Sequence, residues 1–196
     1  MLHTTFRLAR KAKACKPQYQ KFAASVGGVE TYGLDTPIPL SQVLEVNGLQ
    51  DALWCLRAVL PEEEAARDRL ARLFSCVSAE HVAPLWVAPA GIDWLPADTI
   101  SVSRRYALGQ ATKAELEAAR VSALVAWDAK GATRGTRGVA MASAWTAMER
   151  AIDAAHFAAE EAWRATFVTA AETGWEIGGA AEGRWQHEQF AAMLAA

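Results

Sequence analysis

Glu149, Asp153, His156 and Glu160 follow one another at steps of four, three and four, so on a helix they share one face. An acid-x-x-His step of this kind is how helical bundles present carboxylate and imidazole ligands to a pair of metal ions. Such a site needs the same step on a second helix, and the neighbouring candidates do not supply it. His81 directly follows Glu80, and His187 directly precedes Glu188. With too few ligands for a metal centre, the expectation is that neither a metal nor another cofactor is bound. His156 is then expected at the border of an aromatic stripe, hydrogen-bonded to a nearby carboxylate.

The nucleophiles are no more telling. Cys55 and Cys76 fall on apolar faces of predicted helices, where thiols are inert packing groups. His81 is near Cys76 in sequence, but nothing else selects it. The chain has no G-x-S-x-G, no H-E-x-x-H and no P-loop, because the glycines from Gly131 to Gly138 are not followed by the Lys-Ser/Thr pair that a phosphate cradle needs. No catalytic residue is assigned, and a non-enzymatic protein is expected. Cys15, Cys55 and Cys76 are odd in number and lack C-x-x-C spacing, which points to free thiols in a reducing cytosol.

Groups suited to binding remain. The first 29 residues carry Arg7, Arg10, Lys11 and Lys13 among their cations and no acid, so these four are the candidates for phosphate contacts with a nucleic acid. The alternative is a solvated basic helix face. Lys130, Arg134 and Arg137 are interleaved with Gly131, Gly135 and Gly138. Three glycines so close together cost a helix about 1 kcal/mol each, so a mobile basic loop that orders on a partner is expected there. Trp86 and Trp94 lie in a stretch broken by Pro84, Pro89, Gly91 and Pro96. That stretch, 84–98, is expected to be an ordered loop presenting its tryptophans as surface anchors.

The elements that must position these groups are helical throughout. The run 139–173 has neither proline nor glycine and is rich in alanine, so it reads as one long helix ending before Gly174. Trp145 and Trp163 would lie on one side of it. Ala147, Ala151, Ala154, Ala158, Ala162 and Ala165 would form a smooth opposite face that admits a neighbouring backbone closely. Thr112 and Glu115 are a capping box that starts a helix reaching about residue 130. Further helices are expected over 5–15, 17–26, 40–46, 48–60, 62–86, 99–108 and 180–194, with Asn47 capping the one at 48 and an extended connector over 29–39. No alternating run of useful length suggests a β-strand.

The expected fold is therefore an all-α multi-helix bundle around the 139–173 helix. It forms a single domain, with a possible sub-bundle 1–98 packed on a helical hairpin 99–196. At 52% hydrophobic residues and net charge −2, the chain is too apolar for disorder and too weakly charged for bulk nucleic-acid binding. No apolar run is long enough to span a membrane, and the start lacks the apolar core of a secretory signal. A cytoplasmic protein without a membrane partner is expected.

Three short runs carry a resemblance. Asp35-Thr-Pro-Ile-Pro-Leu40 followed by Asn47-Gly-Leu-Gln-Asp-Ala-Leu-Trp54 resembles small alanine/tryptophan-rich helical proteins of phages and prophages. So does Tyr106-Ala-x-Gly-x-Ala-Thr112 running into Glu115-Leu-x-Ala-Ala-Arg120. The C-terminal half is also similar to immunity proteins of polymorphic-toxin loci. The resemblance transfers no catalytic residue. It implies a bacterial or phage setting and a protein that binds and blocks a host machine: an inhibitor of a bacterial defence complex, of the anti-CRISPR type, whose partner is a protein or ribonucleoprotein. A toxin-neutralising immunity protein and a nucleic-acid-binding accessory protein are the alternatives.

Overall fold

The computed structural model describes residues 1–169 and 175–196. Among them the chain is all-α, with eleven α-helices and two strands of two residues each. It divides into two compact units, one made of 1–67 with 187–196 and the other of 68–186. The boundary therefore lies earlier than residue 98, and the C-terminal residues belong with the first unit.

In the first unit, β1 (His3–Thr4) pairs antiparallel with β2 (Ile38–Pro39), and Thr4 also bridges to Val59. Pieces this short leave no alternating pattern, which is why the sequence shows no strand. Around them lie α1 (Phe6–Lys11), α2 (Lys16–Ser25), α3 (Val29–Tyr32), α4 (Leu40–Asn47) and α5 (Leu49–Cys55). Thr5 caps α1 by accepting from the Leu8 amide, and Pro17 occupies the first turn of α2, where its missing N–H costs nothing. The single turn α3 replaces part of the extended connector expected over 29–39. Phe6 is fully buried, edge-on to Tyr19 and Tyr32 and tilted against Phe22, with ring centroids 5.3–5.9 Å away.

Asn47 does not cap α5. Gly48 takes that position at φ 92°, a left-handed conformation open to glycine, and the Asn47 amide turns instead to the Gln18 carbonyl and the Asp51 carboxylate.

The second unit contains α6 (Glu64–Val82, from Asp68 onward), α7 (Pro96–Ala107), α8 (Lys113–Trp127), α9 (Arg134–Thr146), α10 (Ala151–Thr169) and the first half of α11 (Trp175–Ala195). The capping box of α8 forms as expected: the Thr112 hydroxyl accepts from the Glu115 amide, and the Glu115 carboxylate accepts from the Thr112 amide at 2.8 Å. The helix stops at Trp127, a turn earlier than expected. The expected stop of the long helix at Gly174 lies outside the described residues.

The single helix over 139–173 is not formed. The chain leaves the helix after Thr146 and re-enters at Ala151, so that α9 and α10 fold back on each other. Gly138 near the start of α9 meets Ala165 near the end of α10, which makes the pair antiparallel. Locally, Ala-Met-Glu-Arg at 147–150 favours helix, so the break comes from elsewhere in the unit. The buried Arg72 of α6 donates to the Thr146 carbonyl at 2.7 Å and the Glu149 carbonyl at 3.1 Å. Thr146 in turn donates its hydroxyl to the Ser143 carbonyl and shares a hydrogen bond with Ser103 of α7. A guanidinium on the carbonyls that end α9 also suits the negative end of its dipole.

The glycines of 131–138 behave differently from the expected loop. Thr133 caps α9 by accepting from the Thr136 amide, and Gly135 and Gly138 lie within the helix. Gly138 is tolerated because it brings the two backbones together. A Cβ there would lie 3.0 Å from the Ala165 Cβ. The alanine face is as expected: Ala147, Ala151, Ala154, Ala158, Ala162 and Ala165 are all buried. Ala162 and Ala165 pack with Cys76, Ala79, Val82, Ile100, Val139 and Ala142.

Candidate functional site

The α8–α9 hairpin exposes apolar side chains beside a group of cations. Ala123 and Ala126 of α8 pack on Ala140 and Ala144 of α9, which fixes the inner side of the pair. Outside, Val121 and Val125, one turn apart on α8, are 49% and 60% exposed, and Trp127 at its end is 38% exposed. The chain then enters the turn holding Lys130 and the first turns of α9 holding Arg134 and Arg137. All three cations are exposed, and among the described residues none forms an ion pair. The first turn of α9 contains no acid to offset them. Arg134 and Arg137 are thus surface groups on a helix rather than in a loop, and Lys130 stays in the turn before it. The valines carry no signal of exposure in the sequence, since Val at helical spacing reads as core.

Trp94 is corrected outright. It is 8% exposed, its indole N–H donates to the Thr99 hydroxyl at 3.1 Å, and Thr99 donates to the Ala119 carbonyl at 2.9 Å. That relay ties the irregular segment to α7 and α8. Trp86 is half-buried, edge-on to Trp94 at 4.9 Å, with a buried indole N–H that meets no acceptor. The segment does expose apolar side chains, but they are Val87 and Leu95. Two large rings beside a core of alanines gain more from filling it than from facing water.

At the N-terminus, Arg7, Arg10, Lys11 and Lys13 are all exposed. Arg7 is not available as a free cation, because its Nε and Nη2 reach the two oxygens of Asp35 at 2.6 and 2.8 Å. This two-pronged contact holds the Asp35 carboxyl below its usual range. Lys13 ends α1 at φ 63°, the left-handed position usually given to glycine.

The acid/histidine row loses its first member, and only Asp153, His156 and Glu160 share a face, on α10. Glu149 falls in the break before α10 and is paired with Lys113 of α8, which lowers its pKa. Asp153 is paired with Arg150, and Glu160 with Arg164. The Nδ1 of His156 is buried without a hydrogen-bond partner, so the expected bond to a carboxylate is not made there. Its ring stands edge-on to Phe157. Among the described residues no cluster of three or more His, Cys, Asp or Glu is arranged to hold a metal. Cys55 and Cys76 are buried, and desolvation pushes both thiols up to about 12, far from reactive thiolates.

One constellation escaped the sequence altogether. The Nδ1 of His81 lies 2.7 Å from the buried carboxylate of Glu182, and its ring stacks on Trp185 at 3.7 Å. Gln186 donates to Glu182 at 2.8 Å and to the Ala159 carbonyl at 2.9 Å. A carboxylate that fixes a histidine tautomer and leaves Nε2 free is half of a general-base arrangement. Through these bonds the group ties α6, α10 and α11 together. The only trace in sequence was the i,i+4 pair Glu182 and Gln186; its partner is a hundred residues away.

Among the described residues, no helix is long and apolar enough to cross a membrane. No known family, no characterised protein and no solved structure matches this chain.

Proposed function

We propose that the protein is a non-enzymatic binding protein that docks on a bacterial protein or ribonucleoprotein complex through the α8–α9 hairpin and blocks it. The supporting observation is the exposed pair Val121 and Val125 on one face of α8, with Trp127 exposed on another side at the helix end, followed by the exposed cations Lys130, Arg134 and Arg137, which form no ion pair among the described residues. An apolar centre with a charged rim is the usual anatomy of an interface, and tryptophan and arginine are the residues that most often dominate binding energy. Cations on the rim favour a partner whose facing surface is acidic or carries RNA phosphates. The resemblance to phage and prophage proteins supplies the class of partner. In that reading the protein works in the host cytosol as an inhibitor of a defence complex, of the anti-CRISPR type.

The test is target-DNA cleavage by purified CRISPR interference complexes with the protein in molar excess. Inhibition is expected for a complex of the matching type, and Val125→Glu should weaken it at least tenfold, about 1.4 kcal/mol, with the helical content unchanged. Arg134→Glu with Arg137→Glu should weaken it further at low salt than at high salt. If no complex is inhibited and a toxin encoded beside the gene is neutralised, the protein is an immunity protein instead. Equal potency of wild type and Val125→Glu would remove α8 from the interface.

A further inference from the structure

The first unit holds a half-open cavity of about 120 Å³, lined wholly by residues of its own. Phe6 of α1, Tyr19 and Phe22 of α2, Ile38 of β2, Val43 of α4 and Trp54 of α5 give it an apolar, largely aromatic wall. The rings pack on one another, Phe6 edge-on to Tyr19 at 5.3 Å and tilted to Phe22 at 5.8 Å. No group proposed for partner docking lies here.

The polar side chains away from the mouth are committed to the protein. Thr4 donates its hydroxyl to the Ala58 carbonyl at 2.6 Å, and the Thr5 hydroxyl accepts from the Leu8 amide at 3.1 Å. The Asp51 carboxylate accepts from the Asn47 Nδ2 at 2.8 Å. The Tyr19 hydroxyl and the Asn47 Oδ1 have no hydrogen-bond partner, but both are shielded from solvent and so offer no surface to a guest. Burial pushes the Cys55 thiol up to about 12, so it stays neutral. Cys15 and Gln18 are the exposed lining residues and mark the open side. A water held in such a space needs about two to four polar partners, and the walls do not present them.

We infer that this cavity is a binding site for a small uncharged aromatic molecule of benzene size. Size sets the limit, since an apolar protein cavity of about 150 Å³ stays dry and takes up benzene. The walls set the chemistry. With no free polar group to read a hydroxyl or an amide, affinity comes from apolar burial and from ring-on-ring contact. An anionic ring is kept out, because it would lose its hydration beside the Asp51 carboxylate with no cation among the lining residues. The inference stands apart from the partner-docking reading, which concerns the other unit.

The experiment uses the full chain, with fluorobenzene as probe and para-fluorobenzoate as its charged counterpart. Binding is followed by fluorine NMR, and its place by the rate at which iodoacetamide alkylates Cys15, the exposed thiol. Fluorobenzene should bind at least tenfold more tightly than para-fluorobenzoate, be displaced by benzene, and slow the alkylation. Ala9→Leu, which enlarges a lining side chain, should weaken fluorobenzene at least tenfold. If fluorobenzene does not bind, or binds without protecting Cys15, the inference fails. It fails equally if para-fluorobenzoate binds as tightly, or if a folded Ala9→Leu binds fluorobenzene as well as wild type. Should Ala9→Leu not fold, the ratio of the two probes and the protection of Cys15 in the wild-type chain decide alone.

Discussion

At the scale of single residues, Arg72 is the side chain on which the most structure depends. It is 3% exposed, and its guanidinium bonds two carbonyls of the α9–α10 connection and lies over the Tyr106 ring at 5.1 Å. Burial lowers its pKa, yet an arginine starts so high that it stays charged. Arg72→Leu would leave the Thr146 and Glu149 carbonyls without their donor, and we expect a loss of about 2–4 kcal/mol in urea unfolding. Arg72→Lys keeps the charge but not the fork, so it should recover only part of that loss. A variant as stable as wild type would mean that the break after Thr146 is held by something else. Nothing in the sequence singles out Arg72 from its neighbours Arg67 and Arg69. Its role comes from groups some seventy residues further on.

At the scale of elements, two helix features make opposite points about local and tertiary control. The capping box of α8 is local, spans four residues and is fully legible as Thr112-x-x-Glu115. Its hydrogen bonds hold the Glu115 carboxyl below its usual pKa. A group whose folded pKa is lowered contributes stability above its unfolded value, near 4.3, and that contribution is lost as pH falls through the folded pKa. The difference in urea midpoint between wild type and Glu115→Ala should therefore be constant between about pH 7 and 5 and shrink below about 4. A difference that persists at lower pH would mean the carboxylate is not its source. Gly138 is the contrary case, because local propensity makes it a helix breaker and packing makes it a helix residue. Adding a Cβ brings it within 3.0 Å of the Ala165 Cβ and 3.2 Å of its Cα. Gly138→Ala should be close to neutral, since about 1 kcal/mol of helix propensity offsets the crowding. Gly138→Val should cost about 1–3 kcal/mol in thermal or urea unfolding. Equal stability of the three would show that α9 and α10 are not in close contact at this point.

At the scale of the whole molecule, charge limits what the N-terminal cations can do. With Arg7 held by Asp35, only Arg10, Lys11 and Lys13 of that set remain for phosphates. Each phosphate contact adds about 0.9 to the salt slope of duplex binding, so any affinity for DNA through this patch should fall with salt at a slope no steeper than about −3. Titrations of a short duplex at several salt concentrations measure it directly. A markedly steeper slope would restore nucleic-acid binding as a leading reading.

What the sequence by itself determined was the helical class, the capping of α8, the helix start at Pro17, and the buried alanine face of α10. These depend on propensity, caps and spacing, all of which act over a few residues. Only the tertiary structure decided that the alanine-rich run breaks after Thr146, that Gly135 and Gly138 are helical, that Trp94 turns inward, and that His81 finds Glu182. It also decided that Val121 and Val125 face outward and that the Tyr19 hydroxyl and the Asn47 Oδ1 are buried without a hydrogen-bond partner. Each of those outcomes is set by a neighbour distant in the chain, and a free-energy difference of a few kcal/mol from such a contact outweighs the preference of any short segment.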